Sequence, residues 1–208
     1  MNSERPFVAV LDYGIGNLSS AQKALCRVGA DARLVTSAAD AAAADGVVLP
    51  GVGAFGACMD ALDESGLVQP ARAASESDKP FLGVCVGMQL LFDGSEELPG
   101  RAGLGIIPGT VRLLPSTVRR PQMQWNQLTS TRSDAMLDGL DGGWVYFVHS
   151  YHGVPDDPLA VAATCDYGTT VTAAIRCDTV FATQFHPEKS GKDGLRLLAN
   201  FEIGRAHV

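Results

Sequence analysis

The sequence has few of the features that mark membrane proteins, exported proteins and nucleic-acid-binding proteins. None of its apolar runs approaches the roughly 18 residues that a membrane-spanning helix needs. The N-terminal stretch MNSERPFVAVLDYG lacks the basic segment followed by a long apolar one that a secretory signal has. With 16 Lys and Arg against 23 Asp and Glu, the net charge of -7 disfavours contact with nucleic-acid phosphates and anionic membranes. We therefore expect a cytoplasmic protein with no membrane or nucleic-acid partner.

Paired cysteines are also missing. The five cysteines are odd in number and widely spaced, and none of them forms a C-x-x-C pair. This pattern argues against a disulfide framework and against a zinc knuckle, and it favours a reducing compartment. Four of the five lack any motif around them and are expected to be core or surface residues: Cys26, Cys58, Cys165 and Cys177.

The first half of the chain alternates short apolar runs with helical patterns. Strands are predicted at 7–11, 33–35, 47–49 and 81–84, and helices at 18–28, 38–44, 55–74 and 88–92. Asn17 or Ser19 is the predicted N-cap of the first helix, and Gly29 is its predicted left-handed stop. Alternating strands and helices predict a parallel sheet.

The second half is richer in strands. Closely spaced strand-like segments lie at 111–114, 144–151, 159–164, 171–176 and 180–185, and an amphipathic stretch at 195–203 predicts a last helix. A length of 208 residues suits one compact domain, which we place at residues 5–206. The predicted fold is α/β, with a mostly parallel central sheet flanked by helices and additional antiparallel strands in the C-terminal half.

A cysteine between two glycines stands at the predicted junction of a strand and a helix. Gly83-Val84-Cys85-Val86-Gly87 is the cysteine counterpart of a G-x-S-x-G nucleophile elbow. The glycines leave room for a sharp turn, and a helix N-terminus favours the thiolate of Cys85, while the N–H of Val86 is placed to bind an oxyanion. The competing interpretation is a small buried cysteine beside convenient glycines.

A histidine and a glutamate two positions apart end an apolar strand, in Gln184-Phe185-His186-Pro187-Glu188. In extended backbone such side chains project to the same side, so Glu188 can hold one imidazole nitrogen of His186 while the other faces a thiol. A lone H-x-E is more often a structural pair. A metal site is the other chemical interpretation, but one Cys, one His and one Glu form an unusual ligand set, and we expect no metal.

A glycine-rich segment follows the third predicted strand, in Leu49-Pro50-Gly51-Val52-Gly53-Ala54-Phe55. Such a loop can bring backbone N–H groups close to a ligand oxygen, although it can equally be a structural turn. No G-K-[ST] follows it, which disfavours a phosphate loop. Gly14-Ile15-Gly16 is only a partial dinucleotide fingerprint, because Ser19 stands where the third glycine belongs.

The motifs P-G-x-G, G-V-C-x-G-M-Q and Q-F-H-P-E-K-S, in this order, resemble the class I (triad) glutamine amidotransferases, which have a flavodoxin-like fold, over nearly the whole chain. Within that class, L-D-Y-G-I-G-N-L at 11–18 and Y-F-V-H-S-Y at 146–151 are similar to the glutaminase subunit of imidazole glycerol phosphate synthase. The resemblance implies a cytoplasmic enzyme of histidine biosynthesis that needs no cofactor.

By this resemblance, Cys85 attacks the side-chain amide of glutamine, His186 assists the departure of ammonia, and water hydrolyses the glutamyl thioester to glutamate. Glu188 completes the triad. Ammonia then passes to a (β/α)8-barrel synthase subunit, bound as a 1:1 heterodimer, which makes imidazole glycerol phosphate and aminoimidazole carboxamide ribotide.

The resemblance also assigns further residues. The glutamine-binding positions are Gln89, Ser150 and Tyr151, with Glu97 as a further candidate. The positions of a mobile oxyanion strand are Gly51, Val52 and Gly53. The positions that meet the synthase are Asn17, Tyr146 and Lys189. Simpler interpretations remain open, since Gln89 can cap its helix, Tyr146 can be an inward strand aromatic and Lys189 a surface charge.

One stretch departs from the family pattern. Where the family usually has P-H-M-G-W-N, this chain has Pro121-Gln122-Met123-Gln124-Trp125-Asn126. Gln124 adopts positive φ less easily than glycine, and Gln122 does not titrate near neutrality as histidine does. The departure leaves the conformation of this loop open, whereas the predicted triad is intact.

Three other functions compete with this prediction. The nearest is a glutaminase of another pathway, such as anthranilate or pyridoxal phosphate synthesis, which L-D-Y-G-x-G-N and F-V-H-S-Y disfavour. A freestanding cysteine hydrolase is disfavoured by H-P-E together with P-G-V-G. A scaffolding subunit without activity predicts a broken triad, and this one is complete.

Overall fold

The computed structural model describes residues 5–203, so residues 204–206 of the predicted domain lie outside it. The strands are β1 (Phe7–Leu11), β2 (Asp31–Val35), β3 (Gly46–Gly51), β4 (Phe81–Cys85), β5 (Phe92–Ser95), β6 (Ile107–Leu113), β7 (Gln122–Gln127), β8 (Thr129–Ser130), β9 (Trp144–His149), β10 (Tyr151–Pro155), β11 (Val161–Asp166), β12 (Thr170–Cys177) and β13 (Val180–Thr183). The α-helices are α1 (Leu18–Val28), α2 (Ala38–Ala43), α3 (Phe55–Glu64), α4 (Val68–Ser75), α5 (Val86–Gln89) and α6 (Gly191–Ile203). Short 3₁₀ turns lie at Ala135–Leu137, Pro158–Ala160 and Pro187–Lys189.

An eight-stranded sheet forms the centre, in the order β2-β1-β3-β4-β13-β12-β11-β8. The first five strands are parallel to one another, and the last three join by antiparallel pairing. A three-stranded sheet, β10-β6-β5, and a two-stranded ribbon, β7-β9, are built mainly from the second half of the chain. The predicted α/β fold with antiparallel strands added in the C-terminal half is confirmed.

Several predicted elements have different bounds. The single helix predicted at 55–74 is two helices, because the chain turns at Gly66 with a left-handed φ of +72°. The helix predicted at 88–92 ends at Gln89, and Phe92 starts β5. The strand predicted at 144–151 is interrupted at Ser150 and gives β9 and β10, which belong to different sheets.

The central strands bring three predicted motifs to one edge of the sheet. Every residue of β3 and β4 is buried, and Gly51 pairs with Cys85 where the two strands end. Strand β13 runs parallel to β4 on its other side, so the chain that follows Thr183 leaves the sheet at the same edge. Carboxyl ends of parallel strands are where open α/β sheets bind ligands. Among the described helices, none has the length and apolar character needed to cross a membrane.

Replacement of Gly87 by alanine tests how tightly this edge is packed. A Cβ atom at Gly87 would lie 1.9 Å from the carbonyl oxygen of Leu49, and backbone atoms cannot give way as a flexible side chain can. We expect Gly87→Ala to lower the free energy of unfolding by about 3 kcal/mol, measured by chemical denaturation. Gly94→Ala is the matched control, because its Cβ would lie 3.5 Å from the nearest atom. Equal stability of the two variants would contradict the described packing.

Candidate active site

Cys85 occupies a strained backbone position at the tip of β4. Its φ of 56° and ψ of -112° are far from the conformations that most side chains accept. A Cβ at Gly83 would lie 3.0 Å from a Leu91 methyl and 3.1 Å from Met88 Cα, and Gly87 has no room at all, so both glycines of the elbow are required. Because α5 is a single turn, the dipole acting on Cys85 is that of one turn only.

His186 and Glu188 form a buried pair beside this cysteine. The Nδ1 atom of His186 lies 2.8 Å from Oε1 of Glu188, and the two side chains are 2% and 4% exposed. The contact was predicted for extended backbone, but it is made by the 3₁₀ turn Pro187–Lys189, in which the N–H of Lys189 donates to the carbonyl of His186. A carboxylate acceptor at Nδ1 places the imidazole proton there and leaves Nε2 for Cys85.

The charge state of His186 follows from these neighbours. Burial alone would lower the pKa of His186, but hydrogen bonds with Cys85 and Glu188, together with their negative charge, outweigh burial and raise it to about 9. The imidazolium is therefore retained at neutral pH, where it can give a proton to a leaving group.

Two polar side chains hold the turn in place. Asn17 precedes α1, as predicted, but its side chain makes no capping hydrogen bond and instead donates to Oε1 of Glu188 at 3.4 Å. Ser190 donates to the carbonyl of His186 at 2.6 Å and accepts from the N–H of Tyr146 at 3.0 Å. The N–H of His186 donates to the carbonyl of Tyr146, so β9 is tied to the His186 backbone by two routes.

A pocket of about 380 Å³ opens beside Cys85 and His186. Ten predicted residues line it: Val52, Gly53, Cys85, Val86, Gln89, Glu97, Ser150, Tyr151, His186 and Lys189. Three further lining residues were not predicted as site residues, although they lie in motifs that the sequence analysis quoted: Pro121, Val148 and His149. The remaining predicted residues are not part of the lining: Gly51, Asn17, Tyr146 and Glu188. Tyr146 and Glu188 are hydrogen-bonded to His186, Asn17 is hydrogen-bonded to Glu188, and Gly51 precedes Val52 in the chain.

Buried amides connect the cysteine to the far wall of the pocket. The side-chain nitrogen of Gln89 donates to the carbonyl of Tyr151 at 2.9 Å and to the side-chain oxygen of Gln184 at 3.1 Å. The nitrogen of Gln184 in turn lies 3.9 Å from the sulfur of Cys85. Both Gln89 hydrogens are therefore used inside the protein, and only its oxygen remains for a ligand. Gln184 was missed as a site residue, although a polar residue directly after an apolar strand was a usable signal.

His149 also acts on the carbonyl of Tyr151. Burial lowers the pKa of His149 to about 4, so the ring is neutral, and Nδ1 carries the proton that it shares with this carbonyl at 2.8 Å. Tyr151 thus receives hydrogen bonds from two buried side chains, which fixes the turn around Ser150.

Glu97 accepts from the N–H of Phe55 at 2.7 Å and so joins the pocket wall to the start of α3. Within residues 5–203, no group of three or more His, Cys, Asp and Glu side chains is arranged to hold a metal.

Comparison with known proteins identifies the family. Residues 9–204 match the family model of class I glutamine amidotransferases, and the chain belongs to this family. Subunit HisH of imidazole glycerol phosphate synthase from Syntrophotalea carbinolica is 50% identical over 202 residues, which cover 93% of this chain and 98% of that protein. The HisH subunit from Synechococcus sp. (strain JA-3-3Ab) is 53% identical over 199 residues, covering 93% and 92%. Within the class, the chain therefore belongs with the HisH subunits.

A solved structure supports the fold alone. The structure of PurLQS from Thermotoga maritima aligns with a TM-score of 0.73 and covers 95% of this chain and 97% of that one. At 19% identity, this likeness shows a shared fold and says nothing about the substrate.

The raised pKa of His186 predicts the alkaline limit of glutamine hydrolysis. We expect kcat/KM to fall as pH rises through about 9, because the imidazolium that protonates the leaving ammonia is then lost. Glu188→Gln removes one of the charges that hold the proton, so the alkaline limb should move to lower pH. Asp134→Asn, which removes an acid paired with Arg176 at 2.8 Å, is the control and should leave the limb in place. An unmoved limb in Glu188→Gln would refute this assignment.

Proposed function

We propose that the chain is the glutaminase subunit of an imidazole glycerol phosphate synthase. It hydrolyses glutamine to glutamate and ammonia and delivers the ammonia to a synthase subunit in histidine biosynthesis. The observation that carries the proposal is the buried set of Cys85, His186 and Glu188, in which a strained elbow presents the sulfur to a pocket. Identity of about 50% to HisH subunits favours this pathway over other glutaminases.

The proposed reaction has two halves. The thiol of Cys85 first gives its proton to Nε2 of His186, which forms the imidazolium, and the sulfur then attacks the carboxamide carbon of glutamine. The oxyanion that forms is bound by the N–H of Val86 and by the loop at 50–53. His186 then gives its proton to the nitrogen, the C–N bond breaks and ammonia leaves. A water molecule, deprotonated by His186, hydrolyses the thioester to glutamate and restores the thiol. Glu188 orients the imidazole throughout.

The wall opposite the cysteine is the proposed place of the glutamine backbone. Gln89, Ser150, Tyr151 and Glu97 lie around it, and the buried amides behind them keep this wall rigid. The free oxygen of Gln89 and the carboxylate of Glu97 are acceptors suited to the α-ammonium group, and backbone N–H groups of the turn are suited to the α-carboxylate. The free thiols of the five cysteines suit the cytoplasmic location included in the proposal.

An exposed apolar face next to the pocket supports a protein partner. Alternate residues of β7 and β9 share one side of the ribbon, where Met123 pairs with Val148 and Trp125 with Tyr146. Met123, Trp125 and Trp144 are 62%, 47% and 51% exposed, which is unusual for large apolar side chains. We call Met123, Trp125, Trp144, Tyr146 and Val148 the ribbon face. Because Val148 also lines the pocket, a partner seated here stands where ammonia leaves.

We assign this face, with Asn17 and Lys189, to a (β/α)8-barrel synthase subunit bound in a 1:1 ratio. Asn17 contacts Glu188, and Lys189 ends the turn that carries it, so a partner that touches either residue acts directly on the triad. The proposal includes a low glutaminase rate when the subunit is free and a higher rate when the synthase is bound together with its nucleotide.

Replacement of Cys85 tests whether this subunit supplies the ammonia and the synthase subunit only uses it. Cys85→Ala in the complex should abolish glutamine-dependent synthesis while synthesis from added ammonium salts continues, because only the source of ammonia is lost. Cys165→Ala, which removes a buried cysteine outside the pocket, is the matched control. Product formation with each nitrogen source is the measurement. Full glutamine-dependent turnover in Cys85→Ala would refute the nucleophile assignment.

Truncation of the ribbon face tests the docking surface. Trp125→Ala and Trp144→Ala should each weaken binding of the synthase subunit by about tenfold or more, the usual loss when an interface tryptophan is removed. Leu159→Ala removes an equally apolar side chain that is 76% exposed elsewhere and should bind normally. Calorimetric titration gives both the affinity and the 1:1 ratio. Unchanged affinity in both tryptophan variants would exclude this face.

A further inference from the structure

Two side chains outside the pocket hold carbonyl groups of residues 50–53, which are the last two residues of β3 and the start of the loop that follows it. The hydroxyl of Tyr13, which follows β1, donates to the carbonyl of Pro50 at 2.6 Å. The thiol of Cys58, in α3, donates to the carbonyl of Val52 at 3.2 Å. The two side chains are buried and lie close to each other. Neither residue lines the pocket, whereas Val52 and Gly53 do.

Both side chains remain protonated and are therefore permanent donors. Burial, followed by the nearby Cys58 and Cys85, holds the pKa of Tyr13 well above its ordinary range. Burial likewise raises the pKa of Cys58. A neutral phenol and a neutral thiol each have one hydrogen to offer, and the two loop carbonyls receive them.

These two hydrogen bonds set the direction of the loop's peptide groups. In a trans peptide the C=O and the following N–H point in opposite directions, so a fixed Val52 carbonyl also fixes the N–H of Gly53, and a fixed Pro50 carbonyl fixes that of Gly51. Gly51 has no freedom to shift sideways, since a Cβ there would lie 2.6 Å from the nitrogen of Gly87 and 3.0 Å from the Tyr13 hydroxyl. Gly53, with φ of +90° and no neighbour within 4 Å of a Cβ, is the free end of the loop.

We propose that Tyr13 and Cys58 are positioning residues that hold the 50–53 loop in its resting form, and that loop rearrangement for oxyanion binding requires their hydrogen bonds to yield. The inference rests on the proposed function, because it assumes a resting state that the synthase relieves. Loss of either donor removes stabilisation from the resting form only. The free subunit then populates the active form more often, while the stimulated complex, already in that form, gains nothing.

The test compares glutaminase turnover of the free subunit with that of the complex bound to the synthase and its nucleotide. Tyr13→Phe and Cys58→Ala should each raise the free subunit's rate about threefold to tenfold, the population change expected from the loss of one hydrogen bond. The stimulated rate should stay within about twofold and KM for glutamine should not change, so the activation ratio falls.

Two controls separate positioning from general loosening. Cys58→Ser keeps a donor and should restore most of the activation ratio that Cys58→Ala loses. Tyr167→Phe removes a hydroxyl that donates to the backbone carbonyl of Arg119 at 3.0 Å, the same kind of bond at another place, and should leave the ratio unchanged. Thermal melting identifies any variant whose fold is damaged.

The outcomes are distinct. A wild-type subunit that hydrolyses no glutamine in either state contradicts the proposed function itself. A wild-type activation ratio near one would show that the free subunit has no resting form, and the proposed role of Tyr13 and Cys58 would then be wrong. A wild-type ratio well above one that Tyr13→Phe and Cys58→Ala leave unchanged, or free and stimulated rates that fall together in these variants, overturns the assignment of Tyr13 and Cys58 alone.

Discussion

The close contact between the nucleophile elbow and the end of strand β3 is the constraint on which the site depends. Gly87 lies against the carbonyl of Leu49, and Gly51 lies against the nitrogen of Gly87, with no space for a Cβ atom at either position. The two backbones therefore approach as closely as backbones can. This contact fixes Gly51, at the end of β3, against the elbow that carries Cys85, so the loop that follows β3 starts from a fixed point beside the cysteine.

On the other side of Cys85, hydrogen bonds rather than backbone contacts set the positions of His186 and Glu188. The pair of His186 and Glu188 sits on a 3₁₀ turn that Ser190 and Asn17 tie to β9 and α1. Gln184 and Gln89 carry the connection from the sulfur to the carbonyl of Tyr151. The triad is thus anchored to elements from both halves of the chain, which explains why a pair only two residues apart needs the complete fold to act.

Much of this arrangement was predictable from local patterns. Glycines around Cys85, the H-x-E pair and the alternation of strands with helices each have a short-range physical cause, and the fold and the proposed triad were predicted from them. The glutamine-binding positions were implied only by the resemblance to the family. Strand β7 was missed because Gln122–Gln127 has only two apolar residues, Met123 and Trp125, among four amide side chains, and this alternation is too short to mark a strand. Tyr13 was missed because its contact with Pro50 joins residues 37 positions apart in the sequence. Cys58 was missed because no motif marks a cysteine whose thiol reaches back six residues from α3 to the carbonyl of Val52.

The ribbon face has a consequence for how the subunit is produced. Two tryptophans and a methionine are exposed on this strand pair, and exposed apolar strands tend to associate with one another. Under the proposal that the synthase docks on this face, subunit molecules made in excess of their partner keep the face uncovered and are prone to self-association. Matched synthesis of the two chains would then serve solubility as well as metabolic balance.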